Sequence, residues 1–172
     1  MTMIKEPAWL RHGRSLLGTR EAAGSASSKT ILGWAVSLGI KVLGIVYNAD
    51  DVPWCGVFVA KCLRAADVDL SGMKVAVRAK AWATWGSNLA ADRLSPGAIL
   101  VFEREGGGHV AFYVGEDATH YHVLGGNQGD MVSIMRLAKS RCIARRWPKG
   151  VPVIGKPVRL AASGALISTN EA

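Results

Sequence analysis

The residues in this chain best suited to nucleophilic and acid–base chemistry are a cysteine, a histidine and an asparagine, well separated in the sequence. Cys55 lies in "DDVPWCGVFVAKCLRAADV" (Asp50 to Val68), after a Pro-Trp pair where a helix can begin. The reactive form of cysteine is the thiolate, and the partial positive charge at a helix N-terminus lowers a thiol's pKa. Pro53 donates no hydrogen bond, which helps to leave the first-turn amides free, and the N–H of Cys55 can then face a developing oxyanion. His109 opens "HVAFYV" behind three glycines, and alternation puts His109, Ala111 and Tyr113 on one strand face and Val110, Phe112 and Val114 on the other. An exposed histidine at a strand edge is expected there, with the glycines leaving room for a substrate. Asn127, in "VLGGNQ", can accept a hydrogen bond from the imidazole and fix its tautomer.

The second cysteine of the stretch, Cys62, is expected mid-helix on an apolar face, as a small buried hydrophobe. Helical geometry separates it from Cys55 by about 10 Å along the axis, beyond the ~7 Å Cα spacing that a disulfide tolerates. Three cysteines form no closed framework, and their usage fits a reducing cytoplasm.

The elements that must position these groups follow from periodicity and turn chemistry. "PAWLRHGRSLLG" (7–18) predicts a helix stopped by Gly18, and "ILGWAVSLG" a second one capped by Ser27 or Ser28. Between them, "EAAGSASSKT" reads as a loop of small residues, and residues 40–53 read as irregular. A third helix is predicted from about Trp54 to Ala66, and "VRAKAWATWG" is a short helix or turn. Strands are predicted at "AILVF", "HVAFYV", on both sides of "GGN", and at "SRCIARRWP". Helices first and an antiparallel sheet after them define an α+β class. Residues 1–150 are expected to form a single domain and 151–172 an extended tail.

Composition narrows the function classes. The 172 residues are 49% hydrophobic with six tryptophans, which fits a chain with a sizeable core rather than a disordered one. The net charge of +8 points to a polyanionic partner. No zinc-finger spacing, aromatic RNA-binding signature or basic heptad accompanies it, so nucleic acid is not expected. The basic run at 139–149 is expected as a solvated strand face. "ILGWAVSLGIKVLGIVY" contains a lysine and three glycines and falls short of the ~20 apolar residues of a membrane span, so no stable membrane insertion is expected. The N-terminus shows no continuous apolar run of the Sec-signal type.

"PWCGVFVAKCL", "GGGHVAFYVGED" and "VLGGNQGDMVSIMRL" together resemble the blocks of the NlpC/P60–CHAP superfamily of papain-like cysteine peptidases and amidases, and most of all small phage and prophage lysins. "VRAKAWATWG" and "LSPGAILVF" stand where that group has related blocks, so the likeness spans about residues 8 to 148. It implies a papain-like fold with N-terminal helices on a central antiparallel sheet. It also implies Cys55 as nucleophile, His109 as base and Asn127 as third member, with His122 and Glu116 as alternatives for that last role. The implied substrate is peptidoglycan, cut at an amide bond without a metal or cofactor. Trp54, Arg78, Trp82 and Trp85 are expected to line the groove, the alternative for Trp82 and Trp85 being a packed aromatic corner. The chain departs from the group at Gly56, where Ser or Ala is common, and at Ala98, where Asp is usual. A monomer is expected, synthesised in the cytoplasm and acting on the periplasmic wall after release or delivery by other proteins.

Two rival readings accompany this one. "HYH" (His120, His122) with His109 could supply three zinc ligands of a wall hydrolase, although no HExxH or comparable partner motif is present. The other rival is a non-catalytic cell-wall-binding module. Asp50 and Asp51 in "NADD" could cap the chain turn or bind calcium, without EF-hand spacing.

Overall fold

The computed structural model describes residues 4–22, 28–49 and 52–167. Four α-helices come first: α1 (Ala8–Ser15), α2 (Lys29–Leu38), α3 (Ile40–Leu43) and α4 (Cys55–Ala65). Six strands follow: β1 (Ser87–Asn88), β2 (Ile99–Arg104), β3 (Gly107–Glu116), β4 (His120–Gly125), β5 (Ser133–Ala138) and β6 (Cys142–Trp147). They form one sheet in the order β1-β6-β2-β3-β4-β5, with every neighbouring pair antiparallel. The class is therefore α+β.

Local chemistry explains the boundaries. Ser28 caps α2 by accepting the N–H of Ile31 at 3.3 Å, which satisfies one of the free first-turn donors. Gly18, at φ +92, takes a backbone conformation closed to most residues just past α1. Residues 40–53, expected to be irregular, hold the one-turn helix α3 between Gly39 and Gly44. The stretch 79–84 is a 3-10 helix, and β1 is a two-residue strand that carries too little pattern to be seen in sequence.

α4 packs on one face of the sheet. Phe58 of α4 meets Phe112 of β3 with ring centroids 6.1 Å apart. Phe112 pairs with Leu124 of β4, so Val110, Phe112 and Leu124 face the helices. The other face carries Phe102, His109, Ala111, Tyr113 and Tyr121, and its rings touch edge to face at 5.9 and 6.4 Å. β3 is thus covered on both faces, and Val110 to Tyr113 are fully buried. Burying side chains of this size contributes roughly 1.5–3 kcal/mol each, which makes β3 a firm platform for His109.

The run at 139–149 is less solvated than expected. Arg146 donates from Nε to the Trp85 carbonyl at 2.7 Å, Arg141 to the Glu103 carbonyl at 3.0 Å, and Lys139 to Glu116 at 2.9 Å. After β6 the chain runs extended across the sheet's end. There Glu116 forms a parallel bridge with Arg159, and the Val158 N–H donates to the Tyr113 hydroxyl at 3.0 Å.

Candidate active site

Cys55 is the first residue of α4, and Trp54 is its N-cap. Nothing larger than hydrogen fits at the next position. A Cβ on Gly56 would lie 1.8 Å from the Ala76 carbonyl oxygen and 3.4 Å from the Trp82 indole nitrogen. The departure at Gly56 therefore has a steric cause: the segment before the 3-10 helix presses directly on the first turn of α4.

The Cys55 thiol is buried, at 3% exposure, and burial pushes its pKa up. Opposing this, the N–H groups of Val110, Gly56 and Cys55 itself face the sulfur, and the Arg104 charge acts in the same direction. The Val110 amide is informative, because it belongs to the residue directly after His109. It brings the start of α4 against the start of β3. The resting thiol is neutral but set among donors that favour its anion.

His109 is not at a sheet edge and not exposed. β3 lies between β2 and β4, and the ring is 6% exposed. Burial, with the charges of Arg104 and Arg141, holds its pKa below the usual histidine value, partly offset by a hydrogen bond to Gln128. That bond joins His109 Nε2 and Gln128 Oε1 at 2.8 Å. The Gln128 Nε2 end is occupied by two carbonyls, Ser133 at 2.7 Å and Val123 at 3.3 Å. Amide nitrogen only donates, so the oxygen must face the ring and the ring nitrogen Nε2 must carry the proton. Nδ1 is then left as the basic nitrogen of a neutral imidazole.

Gln128 stands where the sequence reading expected Asn127. Asn127 takes a left-handed turn conformation, φ +58, a role asparagine fills readily. The turn folds the longer side chain of the next residue back under β4, and two glycines make this possible. A Cβ on Gly125 would meet Gln128 Oε1 at 2.7 Å, and one on Gly126 would meet the Trp54 ring at 2.8 Å. The doubled glycine before an amide pair was the available signal, and it did not say which amide reaches the ring.

The other candidates for the third role lie elsewhere. Glu116 is seven residues along β3 from His109, about 23 Å at strand rise, and is engaged by Tyr113 at 2.6 Å and Lys139 at 2.9 Å. His122 shares its face of β4 with Leu124, opposite to the face of His109, and its Nε2 meets Asp117 Oδ2 at 2.8 Å. Arg136 holds the same carboxylate oxygen at 2.9 Å and, with His122, keeps Asp117 well below the usual carboxylate range. His120 lies on the same side as His122, so the sheet separates both from His109. Among the described residues, no group of three or more His, Cys, Asp or Glu side chains is placed to hold a metal ion. Asp50 and Asp51 lie outside the described residues.

Of the expected groove residues, Trp54 and Trp82 are fully buried and present no surface to a ligand. Trp82 donates to the Ala76 carbonyl at 3.0 Å and packs edge-on to Trp85 at 5.1 Å, so the pair forms a packed corner beside the first turn of α4. Trp85 is half-buried and Arg78 exposed. Cys62 is fully buried on α4 and its thiol is pushed far up by burial. Compared with known proteins, the chain matches no family model and no curated protein.

Proposed function

We propose that this chain is a thiol hydrolase of the NlpC/P60–CHAP kind, with a papain-like arrangement, that cuts an amide bond of bacterial peptidoglycan. The observation that supports this best is the neutral His109, protonated on Nε2 by its bond to Gln128, and the amide of the very next residue, Val110, which meets the sulfur of the helix-start Cys55. Both groups rest uncharged, so proton transfer accompanies attack instead of preceding it. His109 Nδ1 takes the thiol proton as the Cys55 sulfur bonds to the carbonyl carbon, and the carbonyl π electrons move to oxygen. The Cys55 N–H is a first-turn amide with no intrahelical acceptor, and it donates to that oxyanion. Collapse breaks the C–N bond, and the departing amine takes the proton from His109. Water, deprotonated by the same nitrogen, then releases the acyl group as a carboxylic acid and restores the thiol.

The charge of +8 favours an anionic polymer such as the wall. The reading includes action on the periplasmic wall as a monomer, in the manner of a phage endolysin. Purified peptidoglycan treated with wild type and with Cys55→Ala, the fragments identified by mass spectrometry, tests it. New N-termini or freed muramoyl groups from wild type alone are expected. Equal release by both proteins ends the thiol mechanism. Release abolished by chelator and untouched by loss of Cys55 favours the zinc reading instead.

A further inference from the structure

The two arms of the candidate site come from distant parts of the chain. Cys55 begins α4, whereas Gln128 lies in the loop between β4 and β5. A third segment, residues 18–21 after α1, ties them together. Its backbone runs along the β4–β5 loop: Gly18 N–H donates to the Val132 carbonyl at 2.9 Å, Val132 N–H to Thr19 at 2.8 Å, and Glu21 N–H to Asp130 at 3.0 Å. Arg20 and Met131 form an antiparallel bridge, and Gln128 N–H in turn donates to the Met131 carbonyl at 2.9 Å. From the end of this segment, the Glu21 carboxylate accepts the Trp54 indole N–H at 2.9 Å. Trp54 is fully buried, lies flush against Gly126, and directly precedes Cys55.

We infer that Glu21 is a positioning residue of the thiol hydrolase site: its backbone holds the loop that carries Gln128, and its side chain holds the residue that starts the helix of Cys55. The inference rests on the proposed hydrolase reading. Glu21 touches neither the sulfur nor the imidazole. It acts by fixing the distance between the arms, and small misplacements of reacting groups carry large rate costs. The bond is also charge-assisted, which makes it stronger than a neutral one. The surrounding stretch, from Glu21 to Thr30, read in sequence as a loop of small residues, with nothing to distinguish its first member.

The test compares Glu21→Ala, Glu21→Gln and Trp54→Phe on peptidoglycan, with melting temperature and amide hydrogen exchange measured on each. Glu21→Ala and Trp54→Phe are expected to lower kcat about tenfold with KM little changed, and the double variant to lose no more than either alone. Glu21→Gln retains an acceptor for the indole and is expected to recover most of the rate. Exchange at the Trp54 indole N–H and at the Gln128 and Val132 amides is expected to rise in Glu21→Ala. A wild-type kcat in Glu21→Ala overturns the inference, as does a rate loss fully accounted for by the unfolded fraction. Should the hydrolase reading itself fail, through equal digestion by Cys55→Ala, the exchange data still decide the clamp: unchanged protection in Glu21→Ala refutes it.

Discussion

Cys55 and Cys62 sit seven residues apart on the same helix, both buried, and their surroundings have almost nothing in common. Cys62 lies mid-helix among Phe58, Leu63 and the α1 contact at Gly13, and what opposes the upward push of burial on its thiol is the charge of the neighbouring Lys61, with no amide among the described residues facing the sulfur. Cys55 suffers the same burial but sits where α4 leaves its amides unpaired and where β3 offers one more. The two histidines on neighbouring strands repeat the contrast. His122 is bound to a carboxylate that Arg136 also holds, so one Asp117 oxygen joins all three side chains. His109 is bound to a neutral amide that fixes its tautomer and leaves one nitrogen basic. Burial alone therefore says little about function. What separates the proposed reactive pair from the other two groups is the kind of partner each is given.

The sharpest break of this comparison is between the cysteines. Cys55→Ala is expected to lower peptidoglycan digestion about a thousandfold or more, with little change in melting temperature. Cys62→Ala is expected to keep the rate per folded molecule and cost about 1–2 kcal/mol of stability, read by denaturant unfolding. Next, Gln128→Ala should lower kcat roughly ten- to a hundredfold by freeing the imidazole, while Asn127→Gly, which suits the left-handed turn, should leave kcat near wild type. Similar losses in both variants would remove the distinction drawn here between the two amides.

Gly56→Ala is expected to cost about 1–3 kcal/mol or more through the clash with the Ala76 carbonyl, seen as a lower melting temperature, since that oxygen belongs to backbone. His122→Ala should lower the melting temperature modestly, because it removes a buried side chain while Asp117 keeps Arg136, and spare the rate. The smallest effect concerns pH. His109 has a folded pKa below its unfolded value of about 6.5. Below that pH the unfolded chain binds the proton more readily, so stability present above it is lost as pH falls toward the folded value. In wild type the denaturation midpoint should decline over this window more steeply than in His109→Gln, and the rate should persist below pH 6.5 until the ring is protonated.

Much of this architecture was legible in the sequence, and the failures have identifiable causes. α4 was readable because Pro53 and the apolar stripe mark its start and face, and β3 because a short apolar run stands between glycines. β1 and α3 were not, since two and four residues hold too little periodicity. The roles proposed for Cys55 and His109 follow from position along an element, which sequence records. The choice between Asn127 and Gln128 depends on a single φ angle that turns the chain, and the burial of Trp54 and Trp82 depends on tertiary packing, which local pattern does not encode. Glu21 escaped notice because its partners are distant in the chain, 33 residues away for the Trp54 indole.

The central claim is that the Cys55 sulfur is the nucleophile, and graded alkylation tests it most directly. The protein is treated with a small thiol reagent to increasing extents, in denaturant-free buffer, and the modified fraction of each cysteine is read by peptide mapping. Residual peptidoglycan digestion is measured on the same samples. The account predicts that digestion falls in proportion to modification of Cys55 and reaches zero when Cys55 is fully modified, whatever the state of Cys142. Protein with Cys55 fully modified that still digests the wall at the untreated rate would contradict it.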